Sequence, residues 1–190
     1  SAEFVKIGDP NPDYIWGLTN NFSYKGIDLS VLFQAVQGND VYLAGGKFFA
    51  ANGDFFDNQT KDQLNRWRQP GDITNVPQAR LFDGNGTGES SRYVSDGSYI
   101  RLKTLSLGYN LPQNIVQKTS LSKVRVYVSA QNLLTITDYA LWDPEVTTDL
   151  SNAGANVTGG SVTTANVSQG IDFYSAPQAK TITFGLNIGF

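Results

Sequence analysis

The 190-residue chain carries 14 Lys and Arg against 17 Asp and Glu, a formal net charge of -3, and neither histidine nor cysteine. That excludes a disulfide framework, a zinc-thiolate site and an imidazole general base, and the acidic balance argues against a nucleic-acid partner. No run approaches 18 apolar residues, so no transmembrane helix is expected, and "SAEFVKIGDP" has neither the basic start nor the apolar core of a secretory leader. With a serine start and no methionine, the chain reads either as trimmed or tagged or as a piece of a longer polypeptide, and its 19 glycines and 12% aromatics suggest an all-β protein.

The first pattern is alternation from Tyr14 to Tyr24, with Tyr14, Trp16, Leu18, Phe22 and Tyr24 on one face beside the polar Asn20. "KGID" at Lys25–Asp28 is a tight turn, and a second strand follows over Ile27–Gly38. The two make a hairpin with long arms and minimal connection. Residues 39–98 are rich in Gly, Asn, Asp and Pro, apart from a short helix expected within Asn58–Trp67. Alternation returns at Tyr99–Tyr109 and ends at Pro112. It resumes at Val124–Leu133, where Arg125, Tyr127, Ser129 and Gln131 form a polar ladder opposite Val124, Val126, Val128 and Ala130. Residues 135–179 form a second long loop with a near-low-complexity centre. The last strand, "TITFGLNIGF", puts Ile182, Phe184, Leu186, Ile188 and Phe190 on one face.

Five strands are thus joined by a small turn, a very long loop, a moderate turn and a very long loop. Short and long connections fall at opposite ends of an antiparallel sheet, as in an outer-membrane barrel with short periplasmic turns and long external loops. Membrane strands need about 9–11 residues, and only helices or closed barrels satisfy their backbone in lipid. The expectation is an all-β transmembrane antiparallel barrel, with Tyr24, Tyr109 and Phe190 near the periplasmic girdle.

The segments "IGDPNPDYIWGLTNNFSYKGIDLSVLFQ", "RYVSDGSYIRLKTLSLGYNLP", "KVRVYVSAQNLLTITDYALWDPEV" and "FYSAPQAKTITFGLNIGF" carry a resemblance. In combination, "DGSYIRLK", "VYVSAQNL" and "DPEV" make the chain similar to the C-terminal part of the SusC/RagA-like TonB-dependent transporters, outer-membrane nutrient importers of Bacteroidetes. The resemblance implies that residues 1–190 supply about the last five strands of a 22-stranded barrel whose plug domain lies elsewhere. It implies an integral outer-membrane protein with loops at the cell surface. The implied function is energy-coupled import of oligosaccharides or peptides, and the implied partners are the N-terminal remainder of the transporter, a SusD-like surface lipoprotein, TonB and the barrel-assembly machinery. One departure, "FYSAPQAK" where many members read a "YP" before the last strand, is local.

No enzymatic constellation is present. Asp138, Asp143, Glu145 and Asp149 lie close in sequence, but their spacing matches no calcium loop, and "DPE" beside Trp142 reads as a turn. No catalytic residue, cofactor or metal is assigned. Phe48, Phe49, Phe55, Phe56, Trp67 and Trp142 are candidate substrate or lid contacts on the loops, because sugars stack on flat rings and aromatic clusters anchor interfaces. Lys61, Arg66 and Arg68 form a small basic patch near Trp67, read as solvent-facing. In the barrel reading the ladder Arg125, Tyr127, Ser129 and Gln131 faces the plug, with Arg125 expected to pair with a plug or neighbouring-strand carboxylate. Ile182, Phe184, Leu186, Ile188 and Phe190 are the expected assembly signal. The alternative reading is a soluble extracellular all-β glycan- or protein-binding module, favoured by the sequons at Asn156 and Asn166.

Overall fold

A computed structural model of the chain describes residues 5–50, 58–86, 88–146 and 169–190. Phe55, Phe56, Asp149 and both sequons fall outside the described residues. The chain divides into two compact units. One comprises residues 12–38, 97–145 and 177–190, the other residues 1–11, 39–96 and 146–176.

The first unit is an antiparallel sheet of five strands: β1 (Tyr14–Tyr24), β2 (Ile27–Gln37), β5 (Tyr99–Asn110), β6 (Lys123–Thr137) and β8 (Thr181–Gly189). They lie side by side in that order, so each strand neighbours the next one of this set in the chain. The β1–β2 link is a two-residue turn with Lys25 at φ 46 and Gly26 at φ 88, the left-handed pair that matches strand twist. Gly26 also receives the amide of Asn110 at 2.8 Å.

Register carries the alternation across the whole sheet. Phe22 lies opposite Leu29, Leu29 opposite Leu107, Leu107 opposite Val128, and Val128 opposite Phe184. One face is therefore apolar from edge to edge, and Phe22, Leu107, Phe184, Leu186 and Ile188 on it are exposed. The pattern continues past a register shift, where β5 carries the extra residue Lys103 against β2 and β6 turns at Asn132, φ 51. The shift brings Leu102 and Leu134 into line with Phe33 and Leu18. Between β5 and β6, α2 (Gln113–Val116) buries Val116.

The second unit is built from the segments without alternation. β3 (Asp40–Leu43) pairs antiparallel with β4 (Val94–Asp96) and parallel with β7 (Ile171–Asp172), giving a three-stranded mixed sheet. α1 (Gly46–Phe49) follows β3, and the helix expected within Asn58–Trp67 is a 3-10 turn over Lys61–Asn65. Val41, Leu43, Val76 and Tyr93 are buried here. These strands are two to four residues long and paired far along the chain, too short for alternation to mark them.

The expected transmembrane barrel is corrected by this topology. Closing a barrel requires the first and last strands of a sheet to pair, whereas β1 and β8 are opposite edges of an open five-stranded sheet, and the other sheet has three strands. The described residues thus form two small sheets and no 22-stranded closure. The assignments that rested on closure fall with it: transmembrane β-strands, a membrane protein, and an integral outer-membrane placement with loops at the cell surface. No helix among the described residues is long and apolar enough to cross a membrane.

Candidate functional site

The polar face of the five-stranded sheet is organised by two ion networks. In the first, Arg125 on β6 reaches over Gly108 of β5 to Asp28 of β2, two strands away, donating Nε–H to Oδ1 at 3.1 Å and Nη2–H to Oδ2. A side chain at position 108 would occupy the path of the guanidinium, which is the local reason for a glycine there. Asn110 adds an Nδ2–H bond to Asp28 at 3.1 Å. Arg125 also lies 5.0 Å from the Tyr127 ring, which in turn leans across Gly185 of β8.

The bond from Arg125 holds the Asp28 carboxyl below the usual value of 3.8, with its charge and Asn110 adding to the effect against some desolvation. Because the folded value is the lower one, stability from this group is present above the ordinary carboxylate range and is lost as pH falls through the folded value. Asp28→Asn is expected to flatten the loss of stability below about pH 4 in urea titrations at stepped pH, and an unchanged acid limb would refute the linkage.

The second network is deeper. Arg101 of β5 is 1% exposed and donates to Asp143 at 2.5 Å and to Glu145 at 2.8 Å, while Lys103 donates to both Glu145 oxygens at 2.8 and 2.7 Å. Asp143 also accepts the amides of Glu145 and Gln178, each at 2.9 Å. The guanidinium lies 5.2 Å from the ring of Tyr99, whose hydroxyl is pushed up to about 12, mainly by burial. This network pins the "DPE" segment to the sheet, and the carboxylates are spent as arginine and lysine partners. No group of three or more metal-ligating side chains occurs among the described residues. Trp142, next to the pinned Asp143, is 66% exposed.

In the other unit Phe48 and Phe49 on α1 meet Phe173 and Tyr174, which follow β7. Phe48–Phe173 and Phe49–Tyr174 centroids are each 6.0 Å apart, and Phe173–Tyr174 are 4.9 Å apart, all edge-on. Trp67 is half-buried, its amide bonded to Val76 at 2.9 Å. Lys61 and Arg66 border a cleft of about 350 Å³ with Gln63 and Ala79. Among the sequence candidates, Phe48 and Phe49 meet Phe173 and Tyr174, Trp67 bonds Val76, Trp142 is exposed in the five-stranded unit, and Ser129 and Gln131 lie on the polar face opposite Ser106 and Thr104. Ile182, Phe184, Leu186, Ile188 and Phe190 line an exposed edge strand and its end. Asp28, Arg101, Phe173 and Tyr174 were not singled out by sequence reasoning. The lone charge on β2 and the Arg101–Lys103 pair on β5 were usable signals for the first two; nothing local marked the others.

The described residues thus combine an exposed apolar sheet face, a polar face wired by ion pairs and long aromatic-bearing insertions. No family model matches the chain. Among curated proteins it is 41% identical over 190 residues to TonB-dependent receptor P3 and 38% identical over 187 residues to TonB-dependent receptor P26, both of Formosa agariphila. It is 26% identical over 186 residues to TonB-dependent receptor SusC of Bacteroides thetaiotaomicron. These alignments take in 100%, 98% and 95% of this chain, but it spans only 18%, 18% and 15% of the relatives' length. Among solved structures, the RagAB peptide transporter aligns with a TM-score of 0.73 and the RagAB peptide importer in its open-open state with 0.70. Both do so at 25% identity, over 95% of this chain and 17% of theirs. The chain is homologous to the TonB-dependent receptors of the SusC/RagA family, whose members are transporters rather than enzymes.

Proposed function

We propose that the chain is the C-terminal segment of a longer SusC/RagA-type receptor and acts within it as an all-β binding module during energy-coupled import of oligosaccharides or peptides. The observation that carries the reading is the end-to-end match to TonB-dependent receptor P3, supported by the fold likeness to the RagAB peptide transporter. In this reading the loop aromatics are cargo contacts, each within its own unit, and a SusD-like lipoprotein is the partner. The polar wall of Arg125, Tyr127, Ser129 and Gln131 meets the N-terminal plug of the longer protein, and TonB supplies energy through that N-terminal region. Ion-paired, hydrogen-bonding walls suit a wet contact that must rearrange.

The binding role has its own support in the two compact sheets, one of which gathers Phe48, Phe49, Phe173 and Tyr174. The test offers fluorescently labelled oligosaccharides and peptides to the producing bacterium with the gene intact, with the gene deleted, and with TonB inactivated. Uptake should be lost in both altered strains. Uptake unchanged by deletion of the gene overturns the reading; cargo binding without TonB-dependent uptake leaves the module role and removes the import role.

A further inference from the structure

We propose that the cleft beside the Lys61–Asn65 turn takes the last residue of a peptide through its free carboxylate, a proposal that rests on the binding reading above and names a feature of its cargo. The turn is closed by the Gln63 amide, which donates to the Thr60 carbonyl at 3.1 Å, and the Arg66–Val76 bridge lays the segment that leads to Ala79 alongside it. The cleft between them, about 350 Å³, is lined by Lys61, Gln63, Leu64, Arg66 and Ala79. That volume lies in the range of small-ligand sites. Arg66 is half-buried and donates Nη1–H to the Gln63 carbonyl at 3.3 Å, which holds its guanidinium at the turn. Among the described residues no carboxylate pairs with Lys61 or Arg66, so two cations border the cleft without a side-chain counter-ion.

Gln63 decides what kind of anion fits. It is 6% exposed, yet its Oε1 has no hydrogen-bond partner among the described residues. The amide cannot be turned the other way, because Nε2 donates to Asp62 Oδ2 at 2.9 Å and an ionised carboxylate only accepts. Asp62 itself does not line the cleft. A buried acceptor left unpaired is costly, so the ligand has to bring an N–H or O–H of its own. The cations call for an anion beside that donor. Leu64 and Ala79 call for apolar surface next to both. The last residue of a peptide carries all three on one carbon: its N–H meets Gln63, its carboxylate meets Lys61 and Arg66, and an apolar side chain covers Leu64 and Ala79. Capture of a terminal carboxylate is a general mode of peptide recognition. A uronate has a carboxylate and donors, but it surrounds them with further hydroxyls that an apolar wall cannot pair. Inorganic phosphate leaves that wall uncovered.

The experiment measures binding by calorimetric titration to the receptor as its bacterium produces it, in wild type, Lys61→Gln and Gln63→Leu. The probes are a pentapeptide ending in leucine, the same peptide with a C-terminal amide, the same peptide methylated on the leucine nitrogen, and an oligoglucuronate. Wild type should bind the free-acid peptide about tenfold more tightly than the amide or the N-methyl form. Lys61 is exposed, so Lys61→Gln leaves packing untouched; it should weaken the free acid about tenfold and the amide little. Gln63→Leu should lose the distinction between the parent and N-methyl peptides while keeping that between acid and amide. A Gln63 that only packs would weaken every probe alike. No binding of the free-acid peptide, equal binding of acid and amide, binding indifferent to both substitutions, or binding of the oligoglucuronate and no peptide overturns the subsite. TonB-dependent uptake with Lys61-independent binding removes this inference alone, and Lys61-dependent binding without uptake removes the import reading alone.

Discussion

Arg101→Leu is expected to destabilise the five-stranded unit by about 3–5 kcal/mol in urea unfolding, the largest effect of any single change considered. Arg101 is fully buried and neutralises Asp143, itself about 10% exposed, and shares Glu145 with Lys103. Removing the guanidinium leaves Asp143 without a cationic side-chain partner among those ion pairs, and a desolvated carboxylate without its cation is costly. Glu145→Gln should cost far less, about 1 kcal/mol, because Glu145 is 29% exposed and keeps neutral hydrogen bonding to both cations. A double replacement, Arg101→Leu with Asp143→Leu, should recover much of the single loss, since replacing a whole buried pair is tolerated better than breaking it. Additive losses in that cycle would show that Arg101 and Asp143 are not coupled and refute the pairing argument.

Gly26→Val should destabilise the same unit by about 1–3 kcal/mol, through the hairpin turn. At φ 88 a β-branched residue is strained, and its β-carbon would lie 2.8 Å from the backbone oxygen of Asn110, which cannot swing aside as a side-chain tip can. By contrast Gly108→Ala meets only the end of the Arg125 side chain, so the chain should stay folded while the Arg125–Asp28 pair is lost. Comparing the two variants separates backbone strain from loss of the ion pair. Equal unfolding midpoints for Gly26→Val and wild type would refute the turn argument.

The strands were legible to the degree that their neighbours are local. Alternation placed β1 and β2 nearly residue for residue, since Leu18, Phe22, Leu29 and Val31 recur at period two and the turn between them is short. It stopped β6 at Leu133, four residues early, because the left-handed Asn132 shifts the register and flips the phase that alternation follows. It missed β3, β4 and β7 because partners such as Tyr42 and Ile171 lie about 130 residues apart and the runs are too short to show a period. The candidate site was read in halves. Phe48 and Phe49 stood out as aromatics, whereas their partners Phe173 and Tyr174 acquire meaning only when β7 is laid beside β3.

Residue type and nearest-neighbour spacing suffice for the five-strand order, the apolar and polar faces, the lack of histidine and cysteine chemistry, and the family resemblance. Spacing along the chain is silent on how the sheet ends, because closure is a relation between distant strands; among the described residues β1 and β8 are its two open edges. Only the tertiary structure decided that Arg125 spends its charge on Asp28 and Arg101 on Asp143, because a charge finds its partner across strands through space, along paths that glycines such as Gly108 leave clear.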